Sequence, residues 1–294
     1  MAVLEELEAT VTDVAERVGA SVVGLGRGWG RGSGVVIAAD KVLTSAHNLR
    51  RDSITVTFAD GRSDTASLAA ADPDADLAVL SVDTGDAPVL DWADDEARLG
   101  KPVLALANPG GGGLRATFGL VSSTGRSFRG PRGRRVTDTL EHSAPLPRGS
   151  SGGPVVDMAG RLLGINTLRL EGGLIVAVAG TAAVRDRVAA LVRGEAPTRR
   201  TIGIYLAPPR AARRMRRAVG LPERDGALIR GVSEGSAAER AGIERGDLIV
   251  SVGGQPIVRL DDLYEAVDQV AGDSVELGLV RGTEERTVTV ELAA

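Results

Sequence analysis

Pro147-Arg148-Gly149-Ser150-Ser151-Gly152-Gly153-Pro154 is the stretch on which the fold turns. A serine set among glycines and closed by a proline suits neither a core strand nor a helix. Without a Cβ, glycine lets backbone N–H groups approach a ligand closely and adopt dihedrals closed to other residues. With Ser151 as a nucleophile, the N–H groups of Gly149 and Ser151 would converge on the oxygen that turns negative as a carbonyl is attacked. Such stabilisation is usually the largest single catalytic contribution. The same composition also makes an ordinary turn between strands, so distant segments have to decide.

Two of them do. His47, one of two histidines in the chain, follows the apolar run Val42-Leu43-Thr44-Ser45-Ala46, where a rigid strand delivers a side chain to a cleft. Asp76 stands directly ahead of Leu77-Ala78-Val79-Leu80, which reads as a buried strand. A carboxylate at such a threshold is partly desolvated and can orient an imidazole through its second nitrogen. Asp72, Asp74 and Asp76 also match the start of a calcium loop. Leu77 replaces the glycine such a loop requires and Asp83 the bidentate glutamate, so no metal is expected. The glycine-rich run 24–34 fails the dinucleotide fingerprint in every register. His142, the other histidine, is expected to line the serine loop, and as an alternative base it is secondary to His47.

At 294 residues the chain fits two domains. Aromatic residues make up only 2%, so the core must be built from Val, Leu, Ile and Ala. A net charge of −4 gives no global attraction to nucleic acid, and the arginines at 126–135 and 210–217 read as solvated faces. With no cysteine there is no disulfide framework, thiolate zinc site or cysteine nucleophile. Residues 1–20 lack the basic flank and apolar run of a signal peptide, and no apolar run is long enough to span a membrane. The expectation is a cytoplasmic protein without cofactor, or an exported one whose export segment lies outside this numbering.

Residues 1–20 carry apolar positions at helical spacing, an amphipathic lead-in helix. From 21 to 193 brief β-type runs alternate with turns, the texture of antiparallel sandwiches or barrels, ending in a helix near 181–193. Residues 194–199 read as a linker. Residues 200–294 mix strands and helices as a compact α+β module, with Asp261 or Asp262 expected to cap a helix at 260–270.

These residues carry a family resemblance. His47, Asp76 and Ser151 follow one another in the order of trypsin-like serine proteases, and the surrounding motifs resemble the HtrA, or DegP-like, branch. Gly32-Ser33-Gly34-Val35-Val36-Ile37, Thr44–His47, Asp76–Leu80, Leu106-Ala107-Asn108-Pro109-Gly110, Gly149–Pro154 and Gly164-Ile165-Asn166-Thr167 each resemble a motif of that branch. Residues 200–294 resemble its PDZ domain through Thr201-Ile202-Gly203-Ile204, Gly235–Ala238 and Ala241–Asp247.

The resemblance implies a mainly β fold: two six-stranded antiparallel β-barrels of chymotrypsin/trypsin type, followed by an α+β PDZ domain. It makes His47 the general base, Asp76 its orienting acid and Ser151 the nucleophile, with Gly149 and Ser151 as the oxyanion hole. It implies endopeptidase action on misfolded or unstructured proteins, and a homotrimer. Pro145 stands where enzymes cutting after basic residues carry an acid, so with Leu146 and Val176 a small apolar S1 pocket is expected. In the PDZ domain the N–H groups of Ile202, Gly203 and Ile204 would capture a C-terminal carboxylate, with Leu263 and Val267 as the groove's apolar wall. The chain departs from the family at His142-Ser143, usually Thr-Asp, and at Pro147-Arg148, usually Asn-Pro. Those departures motivate a second expectation, a catalytically silent peptide-binding scaffold.

Overall fold

In the computed structural model, residues 2–26, 32–49, 53–129, 135–170, 172–197, 202–270 and 272–292 are described. Thr201 of the expected carboxylate-binding loop, residues 198–199 of the expected linker, 27–31 of the glycine-rich run and 130–134 of the first arginine cluster lie outside them. Contacts divide the chain into two compact units, Met1–Pro197 and Thr198–Ala294.

The first unit opens with helix α1 (Ala2–Gly19). Strands β1 (Val22–Leu25), β2 (Ser33–Ala38), β3 (Lys41–Thr44), β4 (Ser53–Thr57), β5 (Ser63–Asp72) and β6 (Leu77–Ser81) follow. They close into an antiparallel barrel in the order β1-β2-β3-β6-β5-β4. Strands β7 (Pro102–Ala107), β8 (Arg115–Arg129), β9 (Arg135–His142), β10 (Pro154–Val156), β11 (Leu162–Arg169) and β12 (Ile175–Ala179) close a second barrel in the order β10-β11-β12-β9-β8-β7. Helix α2 (Ala182–Val192), capped by the Thr181 hydroxyl, ends the unit.

Strand side chains alternate between faces, and in β1, β6, β7, β10 and β12 both faces are buried, which is why those strands read as continuous apolar runs. Val23, Val36, Val42 and Leu80 fill the first barrel. Their neighbours Val22, Val35, Leu43 and Val79 point the other way, into a shared core with Leu104, Leu106, Val156 and Ile165 of the second barrel. Val14 and Val18 of α1 and Val184, Val188 and Leu191 of α2 complete that core. The interior of the second barrel is Val103, Ala105, Leu140, Val155, Leu163 and Ala177. Each such aliphatic side chain contributes about 1.5–3 kcal/mol on full burial, so aromatic residues are not needed. The shared core fixes one barrel against the other and thereby sets the cleft.

In the second unit, strands β13 (Ile204–Leu206), β14 (Ala227–Val232), β15 (Leu248–Val252), β17 (Ser274–Arg281) and β18 (Glu284–Glu291) pair in that order, with β16 (Gln255–Pro256) beside β15. Helices α3 (Pro209–Ala218), α4 (Ala237–Arg240) and α5 (Leu260–Asp268) accompany the sheet. Arg259, not an aspartate, is the N-cap of α5. Because the helix starts at Leu260, Asp262 falls in its third position and accepts the Arg259 and Val258 N–H groups at 2.7 and 3.1 Å.

Candidate active site

His47 sits on a single 3₁₀ turn, Ala46–Asn48, at the end of β3. Asp76 precedes β6 in the left-handed region, φ 55°, a strained state for a residue with a side chain. It is held there from both sides of the turn. Its carbonyl accepts the Ala46 N–H at 3.1 Å and its carboxylate the His47 N–H at 3.0 Å. The carboxylate also accepts from His47 Nδ1, at 2.8 and 3.0 Å to its two oxygens. A carboxylate only accepts, so Nδ1 carries the proton and Nε2 keeps a free lone pair. Asp76 is 1% exposed, so water does not compete for these bonds.

Ser151 lies between two positive-φ glycines, Gly149 (86°) and Gly152 (89°). A Cβ at Gly152 would collide with the Ser33 carbonyl oxygen and the Thr44 hydroxyl, and one at Gly153 with the Leu106 carbonyl oxygen. The serine turn can approach the first barrel only as glycine. There it is clasped. Ser33 N–H and Asn48 Nδ2 donate to the Ser151 carbonyl at 2.9 and 2.8 Å, and Ser33 Oγ donates to the Gly149 carbonyl at 3.0 Å. Thr44 Oγ1 donates to the Ser33 carbonyl at 2.7 Å and accepts from Asn48 Nδ2 at 3.0 Å. The Gly149 and Ser151 N–H groups donate to no described residue, which leaves both open to an oxyanion.

Thr167 connects the parts. Its hydroxyl donates to Asp76 Oδ2, and its carbonyl accepts from Ser151 Oγ at 2.9 Å. Among the described residues no hydrogen bond joins Ser151 Oγ to His47, so the serine hydroxyl here rests on Thr167. Thr167, Ser33, Thr44 and Asn48 went unrecognised as site residues in the sequence. The one signal was the place of Ser33, Thr44 and Thr167 inside the quoted motifs; a hydroxyl that reaches a carboxylate from a distant strand leaves no local trace.

Of the expected S1 residues, Pro145 is exposed, whereas Leu146 and Val176 are buried. In this conformation the Leu146 side chain belongs to the second-barrel core, and its carbonyl accepts from the Arg169 guanidinium. Asp72 pairs with Arg187 of α2 at 2.7 Å and Asp76 with His47. Among the described residues no cluster of three or more acidic or histidine side chains could hold a metal ion.

In the second unit, β13 is an edge strand, paired on one side with β14. Gly203, φ 78°, packs against Ser236, and a Cβ there would collide with that side chain. The carbonyls of Ile202 and Gly203 accept from Ala238 and Ser233 N–H at 2.8 Å each, while the N–H groups of Ile202 and Gly203 donate to no described residue. Ile204 is half-buried, and Leu263 and Val267 of α5 are buried in the core of the unit with Ile202.

The family model of the trypsin-like peptidase domain matches residues 32–165, and that of the PDZ domain residues 228–281. The chain is 34% identical over 272 residues to a probable periplasmic serine endoprotease, DegP-like, of Rhizobium meliloti (strain 1021), covering 89% of this chain and 53% of that protein. It is 32% identical over 271 residues to the protein of the same name in Marinomonas sp. (strain MWYL1), covering 90% and 57%. The chain thus spans about half the length of the curated relatives it matches. Among solved structures, the serine endoprotease from Yersinia pestis is 27% identical with a TM-score of 0.62, over 96% of this chain and 97% of that one. The HtrA-type protease AlgW with tripeptide is 28% identical with a TM-score of 0.57, over 96% of each chain. Closed twin barrels, a PDZ sheet and these likenesses agree: the chain belongs to the HtrA/DegP-like family of trypsin-fold proteins with a C-terminal PDZ domain.

Proposed function

We propose that this protein is a serine endopeptidase that hydrolyses peptide bonds of misfolded or unstructured proteins, in protein quality control. The observation that carries the reading is the hydrogen-bonded His47–Asp76 pair, linked through Thr167 to a serine turn with two uncommitted N–H groups. His47 Nε2 takes the proton of Ser151 Oγ as the serine attacks the carbonyl carbon, and returns it to the leaving amine. Asp76 stabilises the imidazolium, and the Gly149 and Ser151 N–H groups receive the oxyanion. The serine must first leave the Thr167 carbonyl and turn to His47, so rotation of its side chain is the activating motion. Pro145, Leu146 and Val176 are the residues we assign to an apolar S1 pocket. Labelling with a fluorophosphonate, compared with Ser151→Ala, tests the reading: equal labelling of the two proteins ends it.

The protease unit occupies 21–193 and the PDZ unit 200–294. We assign peptide capture to the open edge of β13, with the Ile202, Gly203 and Ile204 N–H groups on the C-terminal carboxylate and Leu263 and Val267 of α5 behind the groove. A homotrimer is assigned to the start of α1, where Val3 and Leu4 are 77% and 69% exposed in line with the buried Val14 and Val18. Light scattering before and after Leu4→Glu tests that contact. The curated relatives are periplasmic by name, which does not support the cytoplasmic expectation and fits an exported protein. No described helix is long and apolar enough to cross a membrane.

A further inference from the structure

We propose that His142 is a positioning residue for the nucleophile turn, holding it through Asn166 only while its ring is neutral with the proton on Nε2. The inference rests on Ser151 being the nucleophile. Its starting point is the set of groups around one amide.

Asn166, on β11, lies 2.9 Å from the Gly153 carbonyl and 3.3 Å from the Pro154 carbonyl through Nδ2. Both oxygens only accept, so the amide orientation is fixed and Oδ1 faces His142. That oxygen also only accepts. The imidazole Nε2, 2.8 Å away, must therefore donate. The Asn166 main chain continues the grip: its N–H donates to the Gly153 carbonyl at 2.8 Å, and its carbonyl accepts the Gly152 N–H at 2.7 Å and the Ser45 hydroxyl at 3.2 Å. One residue thus binds both glycines that follow Ser151, together with the segment that delivers His47. His142 holds the side chain of that residue in place.

With the proton on Nε2, Nδ1 is a bare lone pair, and it is buried with no hydrogen-bond partner among the described residues. Protonating it would put a charge and an unpaired N–H into a fully buried ring, which is strongly unfavourable. The charged group acting on the ring is the adjacent Glu141 carboxylate, itself bound by Ser122 Oγ and the Arg126 guanidinium. The flanking strands present Val121 of β8 and Ile175 of β12 opposite His142, neither of them charged. Asp76 is engaged by His47 and by Thr167, the residue after Asn166. Burial lowers the His142 pKa; the Asn166 bond and Glu141 act the other way and do not overcome it. A histidine depressed in the folded state binds more protons when unfolded. Its contribution to stability is therefore full above about pH 6.5 and is lost as the pH falls from there toward the folded pKa. Acid would therefore loosen the turn through a proton taken up by His142.

The test uses the full chain. His142→Gln places an amide nitrogen where Nε2 stands and does not titrate; His142→Leu removes the donor. Labelling of Ser151 by a fluorophosphonate is followed from about pH 5 to 9, alongside the histidine ring ¹⁵N spectrum, which contains only two rings. At alkaline pH His142→Gln should label within about twofold of wild type and His142→Leu about ten- to a hundredfold slower. In acid the wild-type rate should fall more steeply than that of His142→Gln. The spectrum should show the Nε2–H tautomer for His142. Wild-type labelling by His142→Leu, an unchanged acid limb in His142→Gln, or an Nδ1–H ring would overturn the proposal. Should His142→Leu fail to fold, the glutamine profile and the spectrum decide. Failure of every protein, wild type included, to label at Ser151 would strike the nucleophile reading instead.

Discussion

Replacing Thr167 by valine deletes one oxygen and keeps the shape of the side chain. That oxygen donates to Asp76, a carboxylate 1% exposed whose remaining bonds go to His47. A hydrogen bond to a charged group contributes about 1.5–3 kcal/mol net, and burial keeps water from replacing the lost donor. At about 1.4 kcal/mol per factor of ten, kcat/KM for a peptide substrate should fall roughly 10- to 150-fold. Most of the change should appear in kcat, because the bond matters when the imidazolium forms. The same deficit should lower the Tm of the protease unit by about 3–12 °C, at about 2–4 °C per kcal/mol for a domain of this size. Thr167→Ser, which keeps the hydroxyl, should recover most of both. Because Thr167 acts through Asp76, adding Thr167→Val to Asp76→Asn should change little further. Activity of Thr167→Val within threefold of wild type, or a fully additive double variant, would refute the reasoning.

Asp76→Asn itself should lower kcat by about 10⁴ by reversing the His47 tautomer, with folding retained in far-UV circular dichroism. Gly152→Ala combines a positive φ with a collision against the Ser33 carbonyl and the Thr44 hydroxyl; labelling of Ser151 should be lost and the Tm should fall. Gly203→Ala meets the Ser236 side chain in the same way, so binding of a C-terminal peptide, read by fluorescence anisotropy, should weaken at least about tenfold while hydrolysis of a short peptide stays unchanged. Burial raises the pKa of Asp247, but the Arg281 guanidinium at 2.7 and 2.8 Å and the Glu244 N–H at 2.9 Å prevail and hold it below the usual carboxylate range. The stability it contributes is full above about pH 4 and is lost as the pH falls below that. Asp247→Asn should therefore lower the Tm at neutral pH and flatten its fall in acid.

Much of this was legible because the signals are local. Val22–Leu25, Val155–Val156 and Leu162–Ile165 announce strands through apolar runs, and Gly149–Pro154 announces a turn no core strand would tolerate. Strand β5 carries no such signal, since Ser63-Asp64-Thr65-Ala66-Ser67 is short-chained and polar, and only Ala66 of the five is buried. It becomes a strand because closing the barrel supplies partners on both sides, β4 and β6. Strand β9 was hidden likewise: Asp138 takes a positive φ amid shifts in register against β8. In the site, the identities of His47, Asp76 and Ser151 could be read as candidates from residue type and flanks. Their orientation could not. That Ser151 Oγ rests on the Thr167 carbonyl is decided by contacts between strands far apart in the chain, and no periodicity encodes it.

The open border of β13 is only three residues long, and on its other side the pairing with β14 shifts register between Tyr205 and Leu206. A partner chain aligning on that border finds only a short ladder. Edges this short resist endless edge-to-edge growth. The brevity also caps how much of a ligand such an edge could read: of a captured tail, only the last few residues would be inspected.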